Sequence, residues 1–169
     1  PTLLSFAIQS DGKILVSGGF SSVNGQNINN VVRLNADGSV DASFAVPPFS
    51  NFSTVNGITL QPDGRLLLAG SFNTVGGQSR NRLARVTNTA PAESNVSVTP
   101  TSILWTRGGT APDLSRVTFE RSTDGVTYTF LGNASRVGTS PYLAMSSLML
   151  RRLALKEPYG TPSRQRLKR

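Results

Sequence analysis

Hydrophobic and polar positions change period abruptly at residue 62. From Val55 to Gln61 they alternate, with Val55, Gly57 and Thr59 on one side and Asn56, Ile58 and Leu60 on the other, the pattern of a strand with one better buried face. Pro62-Asp63-Gly64 then predicts a tight turn, because proline fixes φ, aspartate tolerates the bridge region and Gly64 takes the positive φ that other residues avoid. The chain returns as Arg65-Leu66-Leu67-Leu68-Ala69, apolar at consecutive positions, which predicts a hairpin strand covered on both faces. Gly70 marks a place where another backbone approaches closely, and Phe72 adds aromatic bulk just beyond. A polar loop leads from there to a third strand over Leu83 to Val86.

The same pattern stands 52 residues earlier, as the distance from Asp11 to Asp63 and from Phe20 to Phe72 shows. Without a gap, Pro1 to Leu34 and Ser53 to Val86 keep Gln9/Gln61, Asp11/Asp63, Gly12/Gly64, Leu15/Leu67, Gly18/Gly70, Phe20/Phe72 and Arg33/Arg85, among others. A repeat of this period is the signature of stacked structural units. In the first copy, Val31 to Leu34 is the third strand, Asn35-Ala36-Asp37-Gly38 a further turn, and Val40 to Phe44 a short fourth strand. Four antiparallel strands flanked by sheets on both faces describe a β-propeller blade. The kept residues Asp11, Gly12, Gly18, Phe20, Asp63, Gly64, Leu67, Gly70 and Phe72 are turn formers and core formers, so the repeat preserves a shape. Arg33 and Arg85 could line a shared surface that meets an acidic ligand, or could snorkel and pair at a blade edge.

The run QPDGRLLLAGSF at 61–72, with Val75, Gly77, Asn81 and Leu83-Ala84-Arg85-Val86 after it and NADGSVDASF at 35–44 in the first copy, resembles the bacterial delta-60 repeat. The resemblance covers about Thr2 to Asn88. It implies blade-like β units in a large secreted or surface protein, with an extracellular location and no catalytic motif to carry over. Closed propellers have about four to eight blades, and two are found here. The blade faces are therefore expected to be unburied unless further repeats cover them. The chain opens at Pro1 inside a repeat, and a fragment of a larger protein is expected.

The repeats stop in Pro91-Ala92-Glu93-Ser94, which reads as a linker after a first domain over 1–90. Short strand signals follow at Asn95 to Val98, Ser102 to Thr106, Arg116 to Ser122 and Thr127 to Leu131, with Asp124-Gly125 turning a hairpin. The stretches ILWTRGG and RVTFERSTDGVTYTFLG resemble the first half of an immunoglobulin- or fibronectin-like sandwich. About seven strands make a full one, so residues 95–137 read as incomplete. From Gly138 the character changes. A leucine- and methionine-rich segment and then arginines replace strand alternation, and 138–169 reads as a non-β basic tail, disordered or helical over Pro141 to Lys156. The switch of composition inside an unfinished domain suggests a truncated or out-of-frame end. The fold class expected for the whole is all-β.

Composition then limits the chemistry. The chain has no cysteine and no histidine, which removes thiolate and imidazole nucleophiles, bases and metal ligands. The net charge of +8 is unevenly placed. Residues 1–137 hold 10 basic against 8 acidic side chains, whereas the last 32 hold seven against Glu157 alone. A basic tail can attract nucleic acid or anionic lipid, but no aromatic residue other than Tyr159 lies among its charges, and a nucleic-acid partner is not expected. No apolar run is long enough to span a bilayer. The Asp-Gly pairs lack the alternating oxygen ligands of a calcium loop, and Asp124-Gly125 sits one residue short of an Asp-box spacing. Asp41, Asp63, Asp113 and Glu120 could supply a glycosidase pair, but no spacing selects two of them. Neither cofactor nor metal nor catalytic residue is expected. The function expected is a structural or adhesive repeat module binding neighbouring repeats, surface proteins or glycans; the alternative is a fragment of a propeller hydrolase with its active site on other blades.

Overall fold

The computed structural model describes residues 1–99 and 102–137, and the backbone of strands at 142–146 and 153–156. Among the described residues every regular element is a strand. The chain divides into two compact units. The first comprises Pro1–Glu93 and Gly108–Asp113, and the second Ser94–Arg107 with the chain from Leu114 onward. The segment Gly108–Asp113, assigned by its sequence to the second domain, thus belongs to the first unit.

The first unit holds two three-stranded antiparallel sheets. One consists of β1 (Thr2–Ile8), β2 (Ile14–Gly19) and β5 (Val31–Leu34), with β2 central. Between β2 and β5 lies a ribbon of β3 (Ser22–Val23) and β4 (Gln26–Asn27). The other sheet repeats this with β6 (Val55–Leu60), β7 (Leu66–Gly70) and β10 (Leu83–Val86), and a ribbon of β8 (Thr74–Val75) and β9 (Gln78–Ser79). The predicted turns are where expected, with Gly12 and Gly64 at φ of 84° and 83°. The repeat extends to irregularities: both outer strands bulge at the same place, between Leu3 and Ser5 and between Val55 and Gly57. Asn30 and Arg82, also 52 residues apart, both have φ near 65°. The carbonyl of each accepts from the amide of Gly18 or Gly70 in the central strand, and the amide of each donates to the Phe20 or Phe72 carbonyl.

Two expectations need correction here. The fourth strand over Val40 to Phe44 is reduced to one bridge between Leu34 and Val40, because the Asp41 carbonyl turns back to accept from the Phe44 amide at 3.1 Å. Each repeat therefore has a three-stranded sheet and a two-stranded ribbon. The run Leu66–Ala69 is covered on one face only: Leu66 and Leu68 are buried, Leu67 is half-buried and Ala69 is exposed. The core lies between the sheets, where Leu15 and Val31 meet Ile58, Leu60, Leu66, Leu68, Ala84 and Val86.

Gly18 and Gly70 are fixed by a close approach. A Cβ on either would lie 2.0 Å from a backbone oxygen, that of Thr2 or Thr54. Gly57 has open space around it. Gly70→Ala should therefore cost about 2 kcal/mol by forcing the strands apart, and Gly57→Ala should be neutral or slightly stabilising. Thermal unfolding of the two variants checks this, and equal melting temperatures would refute it.

The second unit contains two sheets. One is ordered β11 (Ala92–Val98), β12 (Ser102–Gly109), β16 (Tyr142–Ser146), β15 (Ser135–Val137), and the other β14 (Thr129–Asn133), β13 (Thr118–Arg121), β17 (Leu153–Lys156). β11 starts inside the stretch read as a linker. Ile103 and Trp105 from the first sheet and Val117 and Phe119 on and beside β13 form one buried core. Trp105 donates from Nε1 to Ser94 Oγ at 2.9 Å, and Arg107 lies over its ring. The non-β reading of the tail is corrected at 142–146 and 153–156, which pair in register with β12 and β13. Apolar residues spread around a helix give it no preferred face to bury, whereas these central strands offer ready backbone partners. The rest of the predicted tail lies outside the described residues.

Candidate functional site

The two recurring arginines have separate fates. Arg33 is buried on β5, opposite Leu15, on the face turned to the second sheet. Its Nε donates to Asp41 Oδ2 at 2.8 Å, and Lys13 Nζ reaches the same oxygen at 2.6 Å. The other carboxylate oxygen accepts from the Ser43 amide at 3.0 Å and the Ser43 hydroxyl at 2.6 Å. The guanidinium spans the repeats, donating from Nη1 to Asn88 Oδ1 at 2.8 Å and from Nη2 to Thr89 Oγ1 at 2.9 Å, with the Phe44 ring 4.7 Å away. Burial alone would raise the Asp41 pKa. Hydrogen bonds from Lys13, Ser43 and Arg33 outweigh it and hold the carboxyl well below its ordinary range.

Chemically this cluster is closed. Both Asp41 oxygens are engaged by cations and donors, so the group is poorly placed to take or give a proton. Arg85, opposite Leu67 on β10, is exposed. By the 52-residue offset, Lys13, Arg33 and Asp41 correspond to Arg65, Arg85 and Glu93. Among the described residues that second set forms no ion pair; Arg65 instead lies 3.7 Å from Asp63 at the surface. Sequence reasoning missed the role of Asp41, although applying the offset to charged as well as turn residues brings out the triad.

The remaining singled-out positions lie in turns and in the packed interior. Asp11 and Asp63 accept the amides of Lys13 and Arg65 across their turns, at 3.1 and 3.0 Å. Phe20 and Phe72 are buried, and Leu67 is half-buried. Asp124 accepts the Val126 and Thr127 amides, each at 2.8 Å, and the Ser122 hydroxyl, which hold its carboxyl well below the usual range. Among the described residues no three acidic side chains gather as a metal site, and no helix is long and apolar enough to cross a membrane.

A groove of about 880 Å³ opens in the first unit between the β3–β4 ribbon and the segment 44–54. Phe20, Phe44 and Phe49 give it an apolar floor and Asn27 and Asn29 add amides. Phe52 stands fully exposed at its edge with φ of 57°, a conformation that a bulky residue seldom adopts.

Residues 9–44 and 61–89 match the family model of a β-propeller domain of unknown function, DUF5122. The DUF5122 segments begin at the equivalent residues Gln9 and Gln61 and contain both hairpin turns, the strands that follow them and both arginines. They support a β-propeller-like repeat as the building block of the first unit. No curated protein and no solved structure matches the chain.

Proposed function

We propose that the chain is a non-enzymatic structural and binding module of a secreted or cell-surface protein, built on delta-60-type repeats that hold one another and present a groove to proteins or glycans. The observation that carries this reading is the use made of the buried polar groups. Arg33, Asp41, Asn88 and Thr89 join one repeat to the next, leaving no free acid or base among them. The groove supports the binding part, since exposed aromatic surface beside amides is suited to sugar faces and hydroxyls.

The second unit fits an immunoglobulin-like sandwich in this reading. The order β11-β12-β16-β15 corresponds to strands A-B-E-D, and β14-β13-β17 to C′-C-F. Trp105 sits on the B-type strand rather than the C-type strand that carries the tryptophan of antibody domains.

Affinity chromatography on immobilised polysaccharides, run beside assays for release of reducing sugar, tests the proposal. Retention without turnover, weakened severalfold in Phe52→Ala, is the expected result. Turnover that disappears in Asp113→Asn or Glu120→Gln would overturn the non-enzymatic reading and place a carboxylate-based hydrolase site on this chain.

A further inference from the structure

The first unit exposes two apolar faces, and the repeat says what each is made to meet. On the outer face of the first sheet Phe6 and Ile8 are exposed, Ile14, Val16 and Leu34 half-buried and Val32 buried; they lie 52 residues before Ile58, Leu60, Leu66, Leu68, Ala84 and Val86. Those six are the residues with which the second sheet packs on the first. Phe6 is 68% exposed where Ile58 is 5%, and Ile8 44% where Leu60 is 7%. The outer face of the second sheet is the complementary case. Leu67, Leu83 and Arg85 correspond to Leu15, Val31 and Arg33, which are buried against the second sheet. Leu83 is 55% exposed where Val31 is 3%. One face of the first unit thus has the residues of the covering half of its internal interface, and another those of the covered half.

Resting on the repeat-module reading above, we propose that these faces bind each other, so that a second copy of this chain stacks head to tail on the first through the packing already present between its repeats. Charge supports a second copy as the occupant. Arg33 crosses the internal interface to Thr89 Oγ1, and the residue 52 positions before Thr89 is Asp37. When a second copy applies its first sheet to the open second sheet, Arg85 meets Asp37 of that copy. Asp37 is exposed, and the Ser39 hydroxyl and amide keep it ionised. The contact is heterologous, so repetition closes a ring or continues as a filament. With two blades per chain, rings of about two to four copies have the blade number of closed propellers.

Sedimentation velocity of the full chain over a wide concentration range tests this. The mass should rise above the 18.0 kDa monomer with concentration. Phe6→Asp and Leu83→Asp change exposed positions and should each abolish self-association. Mixed, they should form a dimer and stop there, because one intact face of each kind remains. Arg85→Asp and Asp37→Arg should each weaken association by at least about tenfold, and together restore it. A monomer at every concentration, or association that either face variant leaves intact, overturns the proposal. So does a Phe6→Asp and Leu83→Asp mixture that stays monomeric. Sugar retention by a monomer would leave the binding module standing while this inference fails.

Discussion

Phe72→Ala should destabilise the first unit by about 4 kcal/mol, the largest loss expected from one side chain there. Phe72 is fully buried, its ring 5.3 Å from that of Phe49 and tilted by 53°, and it belongs to the core that joins the sheets. Truncation removes its transfer energy, leaves a cavity and breaks the aromatic contact. Its repeat equivalent Phe20 is nearly as buried but lines the groove, where water can fill the space left by a smaller side chain. Phe20→Ala should therefore cost about half as much, at the low end of such truncations. Urea unfolding followed by far-ultraviolet circular dichroism measures both, and equal midpoints for the two variants would show that the repeats are packed alike.

Asp41→Ala should cost about 3 kcal/mol. The low end of the range for breaking a buried pair applies because Arg33 keeps Asn88 and Thr89 as acceptors and Lys13 is partly exposed. The same residue sets an acid limit. Its folded pKa lies below its ordinary value of 3.8, so the stability it contributes is fully present above about pH 5 and falls as the pH drops through and below 3.8. Asp41→Ala should flatten the stability profile over that acid range while leaving its shape near neutrality unchanged. A variant with the parent's acid sensitivity would place the titration elsewhere.

What was legible in the sequence was chiefly local. Asp63-Gly64 dictates its turn wherever it stands, and Gly70 is required by the Thr54 carbonyl at the other end of its own hairpin. The number of covered faces was not local. Leu15 and Leu67 have similar apolar neighbours in sequence, yet Leu15 is buried and Leu67 only half-buried, because burial depends on what lies against the sheet. Arg33 and Arg85 differ for the same reason. The fourth strand failed at Val40–Phe44 because the residues that could pair were drawn into the clamp around Asp41. In the segment after 138, no alternation announces a strand, and pairing with distant β12 and β13 decides the backbone instead. The charged triad is legible only when carboxylates and basic residues are taken together at the 52-residue offset, where Lys13, Arg33 and Asp41 correspond to Arg65, Arg85 and Glu93.

The return of Gly108–Asp113 to the first unit bears on how the protein is made. The Ser10 amide donates to the Ala111 carbonyl at 2.7 Å, the Asp113 amide to the Ile8 carbonyl at 3.0 Å, and Thr110 Oγ1 to the Ala90 carbonyl at 2.7 Å. These bonds seal the turn ends of the repeats with chain synthesised after β11 and most of β12. A ribosome that has released both repeats has therefore not yet released the whole of the unit they form, and the last of it emerges only when residue 113 does. The nascent repeats must wait for a stretch of their neighbour before they are complete.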